Sequence, residues 1–127
     1  MKLLGAGIDI VELSRIKKLT DKHKDQFLKR ILHSQELAEI EDVTNIEAFV
    51  AKRFAVKEAA SKALGVGIGK QLSFTDMYVE HDNLGKPLLV FTKECRERLN
   101  LTNTNTLLTI ADEQSYAVAH VLFYSEG

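Results

Sequence analysis

The stretch that decides the fold is RFAVKEAASKAL, residues 53–64. It is rich in alanine and free of glycine and proline, so it predicts a helix. Upstream apolar residues extend that helix back to about Ile46, with Thr44 or Asn45 as its N-cap. The sequence therefore predicts one long helix from about Ile46 to Leu64.

One face of this helix collects groups that can act on a phosphate. At 3.6 residues per turn, Glu58, Ser61 and Lys62 fall side by side, and Gly65 follows at the helix end. A carboxylate that can hold Mg²⁺ beside a lysine that can hold phosphate is the equipment of phosphoryl transfer. Glu58 and Lys62 also have the i,i+4 spacing of an ordinary helix-surface ion pair, and this alternative stays open.

A second carboxylate lies in an apolar strand predicted near the start of the chain, GAGIDIVE at residues 5–12. Asp9 is costly there unless it is paired, hydrogen-bonded or bound to a metal. Gly5 and Gly7 share its face and indicate that something large approaches the backbone closely. The alternative is an aspartate at a strand edge that faces water or pairs with a lysine.

The glycine-rich segment GVGIGK, residues 65–70, is not a nucleotide-binding P-loop. Such a loop joins a strand to the start of a helix, whereas this segment follows a helix. Gly65 is expected to form a left-handed C-cap. Exposed N–H groups in the turn could still contact a phosphate.

Length and composition predict one small domain spanning residues 1–127. The chain has 45% hydrophobic and 28% charged residues and a single cysteine. No apolar run reaches the roughly 18 residues of a membrane span, so we expect a cytoplasmic protein. We expect neither a membrane nor a nucleic acid as a partner.

The order of predicted elements is β-α-α-α-β-β-α-β-β, which favours an α+β domain. It has a mainly antiparallel sheet packed with one long and several short helices. After the long helix, strands are predicted at 74–80, 87–91, 107–112 and 116–124, with a short helix at 94–99.

A basic segment follows the first strand, on a helix predicted from Ser14 to about Lys29. Its cationic residues outnumber its two aspartates, and they are Arg15, Lys17, Lys18, Lys22, Lys24, Lys29 and Arg30. The segment is a candidate docking surface for an acidic partner. The alternative is a helix face that is merely solvated.

Together these motifs resemble the holo-[acyl-carrier-protein] synthases, the small bacterial type of 4'-phosphopantetheinyl transferase. The resemblance covers essentially the whole chain in motif order. It rests on GIDIVE at 7–12, KRIL at 29–32 with Glu36, AKRFAVKEA at 51–59 continuing to Gly67-Ile68, and LGKP at 84–87. Where many members carry Ser-x-Ser-His, this chain has Thr109-Ile110-Ala111-Asp112.

The resemblance implies the 4'-phosphopantetheinyl transferase fold and a reaction in fatty acid biosynthesis. The 4'-phosphopantetheine of coenzyme A would pass to a serine of apo acyl carrier protein, releasing adenosine 3',5'-bisphosphate. It also implies a homotrimer with active sites between subunits, which suits a chain too small for a deep cleft of its own.

The resemblance also assigns roles to individual residues. Asp9 and Glu58 would hold Mg²⁺, and Lys62 would offset negative charge on the pyrophosphate. Glu58, directly or through a water molecule, is the first candidate for the general base. The nucleotide would be lined by Arg53, Ser61, Lys62, Gly65 and Lys86. The carrier protein would contact Arg15, Lys18 and Lys22.

Two other functions remain open on the sequence. One is a different Mg²⁺-dependent enzyme such as a nucleotide pyrophosphohydrolase, although no second glutamate joins Glu58 at i,i+3 or i,i+4. The other is a non-catalytic trimeric binding module, against which Asp9, Glu58 and Lys62 argue.

Overall fold

The structure, a computed structural model, describes residues 1–127 and confirms the predicted element order. Strands and helices follow one another as β1 (Lys2–Glu12), α1 (Leu13–Ile31), α2 (Ser34–Leu37), α3 (Ile46–Leu64), β2 (Met77–His81), β3 (Pro87–Phe91), α4 (Lys93–Arg98), β4 (Asn105–Asp112) and β5 (Tyr116–Ser125). Two 3₁₀ turns, Ile40–Asp42 and Phe74–Asp76, precede α3 and β2. The domain is of the α+β class.

The five strands form two antiparallel sheets. One has the order β1-β5-β4, which leaves β1 at an edge, and the other is the β2-β3 hairpin. The strand predicted from Phe74 starts only at Met77. The cause is a reciprocal cap, because the Ser73 N–H donates to Asp76 Oδ2 at 2.8 Å and turns the segment into a 3₁₀ helix.

Helix α3 has the predicted bounds and lies at the centre of the domain. Asn45 is its N-cap, and Asn45 Oδ1 accepts from the Ala48 N–H at 3.0 Å. Gly65 ends it with φ +74°, the expected left-handed C-cap. The helix contacts β1, β4 and β5 on one side and α1 on another. It is therefore the element around which the core is arranged.

Strand β1 lies directly against the backbone of α3. A Cβ atom at Gly7 would stand 2.0 Å from the Ala59 carbonyl oxygen, and one at Gly5 would stand 2.1 Å from that of Ala63. No side chain fits at either position. Helix α3 is thus the large neighbour that the two glycines predicted, and the contact brings Asp9 to the same helix.

The opposite face of the three-stranded sheet is apolar and exposed. Ile8 and Ile10 of β1 are 59% and 62% exposed, and Leu107 and Tyr116 are also exposed. This sheet face is the main uncovered apolar surface of the domain.

No helix in the chain has the length and apolar character needed to cross a membrane.

Candidate active site

The site is centred on a contact between Asp9 of β1 and Lys62 of α3. Lys62 Nζ donates to Asp9 Oδ1 at 2.9 Å and to the Ile8 carbonyl oxygen at 3.0 Å. The Asp9 side chain is 16% exposed and that of Lys62 is 54% exposed. The alternative in which Asp9 pairs with a lysine is therefore correct, but the lysine is Lys62, itself one of the predicted site residues.

Glu58 lies beside this pair, one helical turn before Lys62. It is half-buried, and burial raises the pKa of its carboxyl group. The negative charge of Asp9 raises that pKa further, while the positive charges of Lys62 and Arg15 lower it. The two carboxylates thus share one neighbourhood. No ion pair joins Glu58 to Lys62, so the alternative of a simple surface pair is wrong.

Arg15 also faces this cluster, from the first turn of α1. Its guanidinium lies 5.8 Å from the centroid of the Phe54 ring, within range of a cation–π contact. Phe54 in turn stacks on Phe74 at 5.4 Å. The structure thus brings a residue expected at the carrier-docking surface close to Glu58.

The remaining basic candidates on α1 stay on the surface. Lys18 and Lys22 are exposed and form no salt bridge, whereas Lys17 pairs with Asp21 at 2.9 Å. Because they are exposed and have no salt-bridge partner, Lys18 and Lys22 are free to contact another protein.

Helix α1 departs from helical geometry at His23.

Ser61 and Gly65 lie on the last turns of α3, next to the cluster in sequence. Ser61 is buried, and its hydroxyl donates to the Glu58 carbonyl oxygen at 2.8 Å. Gly65 is exposed, and a side chain there would meet no other atom within 4 Å. Open space at the end of the helix therefore surrounds the first glycine.

The structure does not bring Arg53 or Lys86 to the cluster within this chain. Arg53 is 4% exposed, with its guanidinium 3.8 Å from the Phe49 ring centroid and its Nε atom 3.6 Å from Glu36 Oε2. Lys86 is exposed in the turn between β2 and β3, and its side chain makes no hydrogen bond or salt bridge.

A buried ion pair next to the site was missed in the sequence. Lys57 and Glu36 are both fully buried, and Lys57 Nζ lies 2.5 Å from Glu36 Oε1. Burial lowers the pKa of Lys57, and the charge of Glu36 opposes this shift. The feature of the sequence that pointed to this pair is a lysine on the buried side of an alanine-rich helix. A buried charge is stable only when an opposite charge pairs with it, and Glu36 is that partner.

The cluster opens onto the exposed sheet face. An open depression of about 440 Å³ is lined by Ile8, Asp9, Ile10, Lys62 and Val118. The two isoleucines and Val118 belong to the apolar face, and the other two residues are the charged pair. A molecule that covers this sheet face would therefore also border the charged cluster.

The arrangement suits a metal bound jointly with a phosphate ligand. The chain holds no group of three or more histidine, cysteine, aspartate or glutamate side chains able to bind a metal. Mg²⁺ is commonly held by one or two carboxylates, with substrate phosphates and waters completing its six positions. Asp9 and Glu58 provide that number of carboxylates beside a cationic lysine.

Comparison with known proteins identifies the family of the chain. The sequence profile of the 4'-phosphopantetheinyl transferase superfamily matches residues 5–120. The holo-[acyl-carrier-protein] synthase of Vibrio campbellii is 43% identical over 98% of this chain and 100% of its own.

Solved structures that resemble this chain belong to the same family. The holo-[acyl-carrier-protein] synthase of Neisseria meningitidis superimposes with a TM-score of 0.91 at 35% identity, covering 97% of this chain and 99% of that one. The enzyme of Bacillus anthracis, solved in complex with CoA (3',5'-ADP), gives 0.84 at 40% identity over 99% and 100% of the two chains. The chain belongs to the 4'-phosphopantetheinyl transferase superfamily and, within it, to the holo-[acyl-carrier-protein] synthases.

Proposed function

We infer that this protein transfers the 4'-phosphopantetheine group of coenzyme A to a serine of apo acyl carrier protein and releases adenosine 3',5'-bisphosphate. The observation that carries the assignment to this site is the contact of Asp9 with Lys62, with Glu58 beside it. Two carboxylates and an ammonium group suit a reaction at a pyrophosphate, where negative charge must be held and offset.

Asp9 and Glu58 fit the binding of Mg²⁺. Their oxygens are the donors that this ion prefers, and the charge of Asp9 already raises the pKa of Glu58, so a cation between them would relieve repulsion. The bound ion would polarise the phosphorus under attack and neutralise charge on the pyrophosphate. Asp9 and Glu58 are therefore the metal ligands in our proposal.

Lys62 has two partners in succession in this proposal. Without substrate its ammonium group pairs with Asp9. With coenzyme A bound, the same group donates to a pyrophosphate oxygen and offsets the charge that grows as the bond to the leaving group breaks. More than half of the Lys62 side chain is exposed, so it can turn from one partner to the other.

The nucleotide end of coenzyme A is assigned to the end of α3 and the segment that follows. The open space at Gly65 and the exposed backbone beyond it support this placement. Ser61 holds the last turns of the helix through its bond to the Glu58 carbonyl. Lys86 is exposed and is assigned to the nucleotide of a neighbouring copy, whereas Arg53 is buried over Phe49 beside Glu36 and receives no contact with the nucleotide in this proposal.

Glu58 is our candidate for the general base that accepts the proton of the carrier serine, directly or through a water molecule. Burial and the charge of Asp9 raise the pKa of Glu58 in the metal-free protein, whereas bound Mg²⁺ would lower its basicity without excluding relay of the proton through a water molecule. Glu58 lies on the side of α3 that faces Arg15 and the basic helix α1. A carrier protein docked on α1 would therefore present its serine near Glu58.

We propose that the protein acts as a homotrimer whose subunits meet through the apolar face of the β1-β5-β4 sheet. Ile8 and Ile10 are more than half exposed, and a partner subunit packed on this face would remove their apolar surface from water. The depression beside Lys62 continues onto this face. A second copy seated there would form one wall of the site.

Intact-mass analysis tests the function directly. The protein is incubated with apo acyl carrier protein, coenzyme A and Mg²⁺, and the carrier is expected to gain the mass of one phosphopantetheine group. Parallel samples contain EDTA, or omit the carrier. Hydrolysis of coenzyme A without a carrier would indicate a pyrophosphohydrolase instead, and no Mg²⁺-stimulated turnover would indicate a binding module.

A further inference from the structure

A single buried carboxylate, that of Glu36 in α2, joins three segments of the chain, α2, α3 and β2. Glu36 Oε1 accepts from Lys57 Nζ at 2.5 Å and from the His33 N–H at 3.0 Å, and Oε2 accepts from the Val79 N–H at 3.0 Å. Arg53 Nε lies 3.6 Å from Oε2. The side chains of Glu36 and Lys57 have no exposed surface. The relative positions of Glu36 and Lys57 are well defined, because any other arrangement of these two side chains would leave a buried charge without a partner.

Lys57 also holds the end of the basic helix. Its ammonium group donates to the carbonyl oxygen of Ile31, the last residue of α1, at 2.7 Å. This carbonyl has no partner within its own helix. Lys57 thereby fixes α3 against α1 directly and against α2 through Glu36, and Glu36 in turn holds β2.

The contact of α3 with β1 does little to fix the rotation of the helix. There Gly5 and Gly7 of β1 lie against Ala63 and Ala59, and the larger buried residues of α3, Phe49, Val50 and Val56, lie nearer its start. Alanine and glycine form a smooth surface without long side chains to interlock, in contrast to packing by larger residues. The direction of the buried Lys57 side chain is therefore the more specific constraint.

Rotation of α3 matters because Glu58 follows Lys57 directly. Successive residues of an α-helix are about 100° apart around the axis, so the position of one sets that of the next. Lys57 points to Glu36, and Glu58, one helical turn before Lys62, consequently lies on the side of α3 where Lys62 meets Asp9.

We propose that Lys57, through its buried ion pair with Glu36, is a positioning residue that sets the rotation of α3 and so holds Glu58 beside Asp9. The inference rests on the proposed function, in which these two carboxylates bind Mg²⁺. Lys57 itself touches neither the metal nor the substrate.

The test is the double variant Glu36→Gln/Lys57→Met. It removes both charges together with little change in shape, and Arg53 keeps Glu39 as a charged neighbour at 3.9 Å. Mn²⁺ serves as the probe, titrated by electron paramagnetic resonance with coenzyme A present. We expect a folded protein that binds Mn²⁺ about 10-fold more weakly and needs correspondingly more Mg²⁺ for turnover.

Two controls separate the possible outcomes. Cys95→Ala makes a small buried change on α4 and leaves the ion pair intact, so Mn²⁺ affinity should stay at the wild-type value. Glu58→Gln should abolish tight Mn²⁺ binding; if it does not, the proposed metal ligands are wrong, whatever the double variant does. A folded double variant with wild-type Mn²⁺ affinity, alongside a defective Glu58→Gln, would overturn the positioning role.

Two conservative variants decide the question if the double variant does not fold. Lys57→Arg and Glu36→Asp keep both charges but move the point of contact. Each is expected to weaken Mn²⁺ binding several-fold in folded protein, as judged by circular dichroism. Unchanged affinity in both would overturn the proposal.

Discussion

Lys62 pairs with Asp9, 53 positions away in the chain, and not with Glu58 one helical turn before it. The i,i+4 spacing permits the local pair, but the close approach of β1 to α3 offers Lys62 a less exposed partner. Glu58 is left without an ion pair, beside a second carboxylate. This arrangement gives the site both its proposed metal ligands and a cation able to move.

Neutralising either carboxylate is expected to abolish most activity. Asp9→Asn and Glu58→Gln each remove a proposed metal ligand, which should cost several kcal/mol, or on the order of 10³-fold in kcat/KM. Activity is measured against Mg²⁺ concentration for each folded variant. Lys62→Met is the matched comparison: it should lower kcat without raising the Mg²⁺ requirement, because it removes a competitor for Asp9. Wild-type kinetics in Glu58→Gln would contradict the assignment.

The metal-free protein should become more stable when Glu58 is neutralised. The folded state raises the pKa of Glu58, so the protonated form is favoured and stability is lost as pH rises through that pKa. Glu58→Gln stays neutral at every pH. In EDTA its Tm should exceed that of the wild type at pH 7, and the difference should close as the solution is made acidic.

Glu80→Gln is the control for this measurement, because Glu80 is an exposed residue on β2. Its Tm should follow that of the wild type at all pH values. A Glu58→Gln protein that is less stable than the wild type at pH 7 would mean that Glu58 is held by a favourable contact.

A methyl group at Gly7 should disrupt both the fold and the site. Its Cβ would lie 2.0 Å from a backbone oxygen of α3, which cannot move aside as a side chain could. Gly7→Ala should therefore lower the free energy of unfolding by about 3 kcal/mol, at the upper end for overpacking. Gly67→Ala, with no atom within 4 Å of the new Cβ, should be close to neutral. Denaturant titration of both variants checks this, and equal stability would contradict the β1–α3 contact.

A charge on the exposed sheet face should dissociate the proposed trimer. Leu107 lies on β4, with β5 between it and the β1 strand that carries Asp9, so Leu107→Lys affects the site only through assembly. Light scattering should give three times the chain mass of 14.3 kDa for the wild type and the single-chain mass for the variant. The Leu107→Lys variant should also lose transferase activity, because its single chains would lack the subunit that completes the site.

Leu88→Lys changes an equally exposed leucine on the other sheet and should preserve both assembly and activity. A fully active single chain would contradict the proposal that the site is completed between subunits.

Reversing charges on α1 should weaken carrier binding alone. Lys18 and Lys22 are exposed and form no salt bridge, and the basic segment to which they belong predicts an acidic docking partner. Lys18→Glu/Lys22→Glu should raise KM for the carrier about 10-fold at low salt, with the effect fading as salt screens the charges. KM for coenzyme A should not change.

Arg15 is left intact in this test because it faces Glu58, and its replacement would alter the site as well. Lys93→Glu on α4 is the control for net charge. Equal shifts of both Michaelis constants, or none, would place the carrier elsewhere.

The sequence by itself determined the elements whose signals are local. The bounds of α3 were correct because an asparagine cap and a left-handed glycine act within one turn of the helix ends. The strand predicted from Phe74 was misplaced, since the Ser73–Asp76 cap competes with extended structure at that point. The family followed from motif order, and residue type and spacing had already nominated Asp9, Glu58 and Lys62.

Only the tertiary structure decided how these residues are paired. Lys62 turns to Asp9, Arg15 faces Glu58, and Arg53 lies buried over Phe49. Each contact joins elements that are distant in the chain, and it depends on the rotation and separation of packed helices and strands. Residue spacing within one helix carries no information about those quantities. The spacing could therefore nominate the charged groups, while packing alone chose their partners.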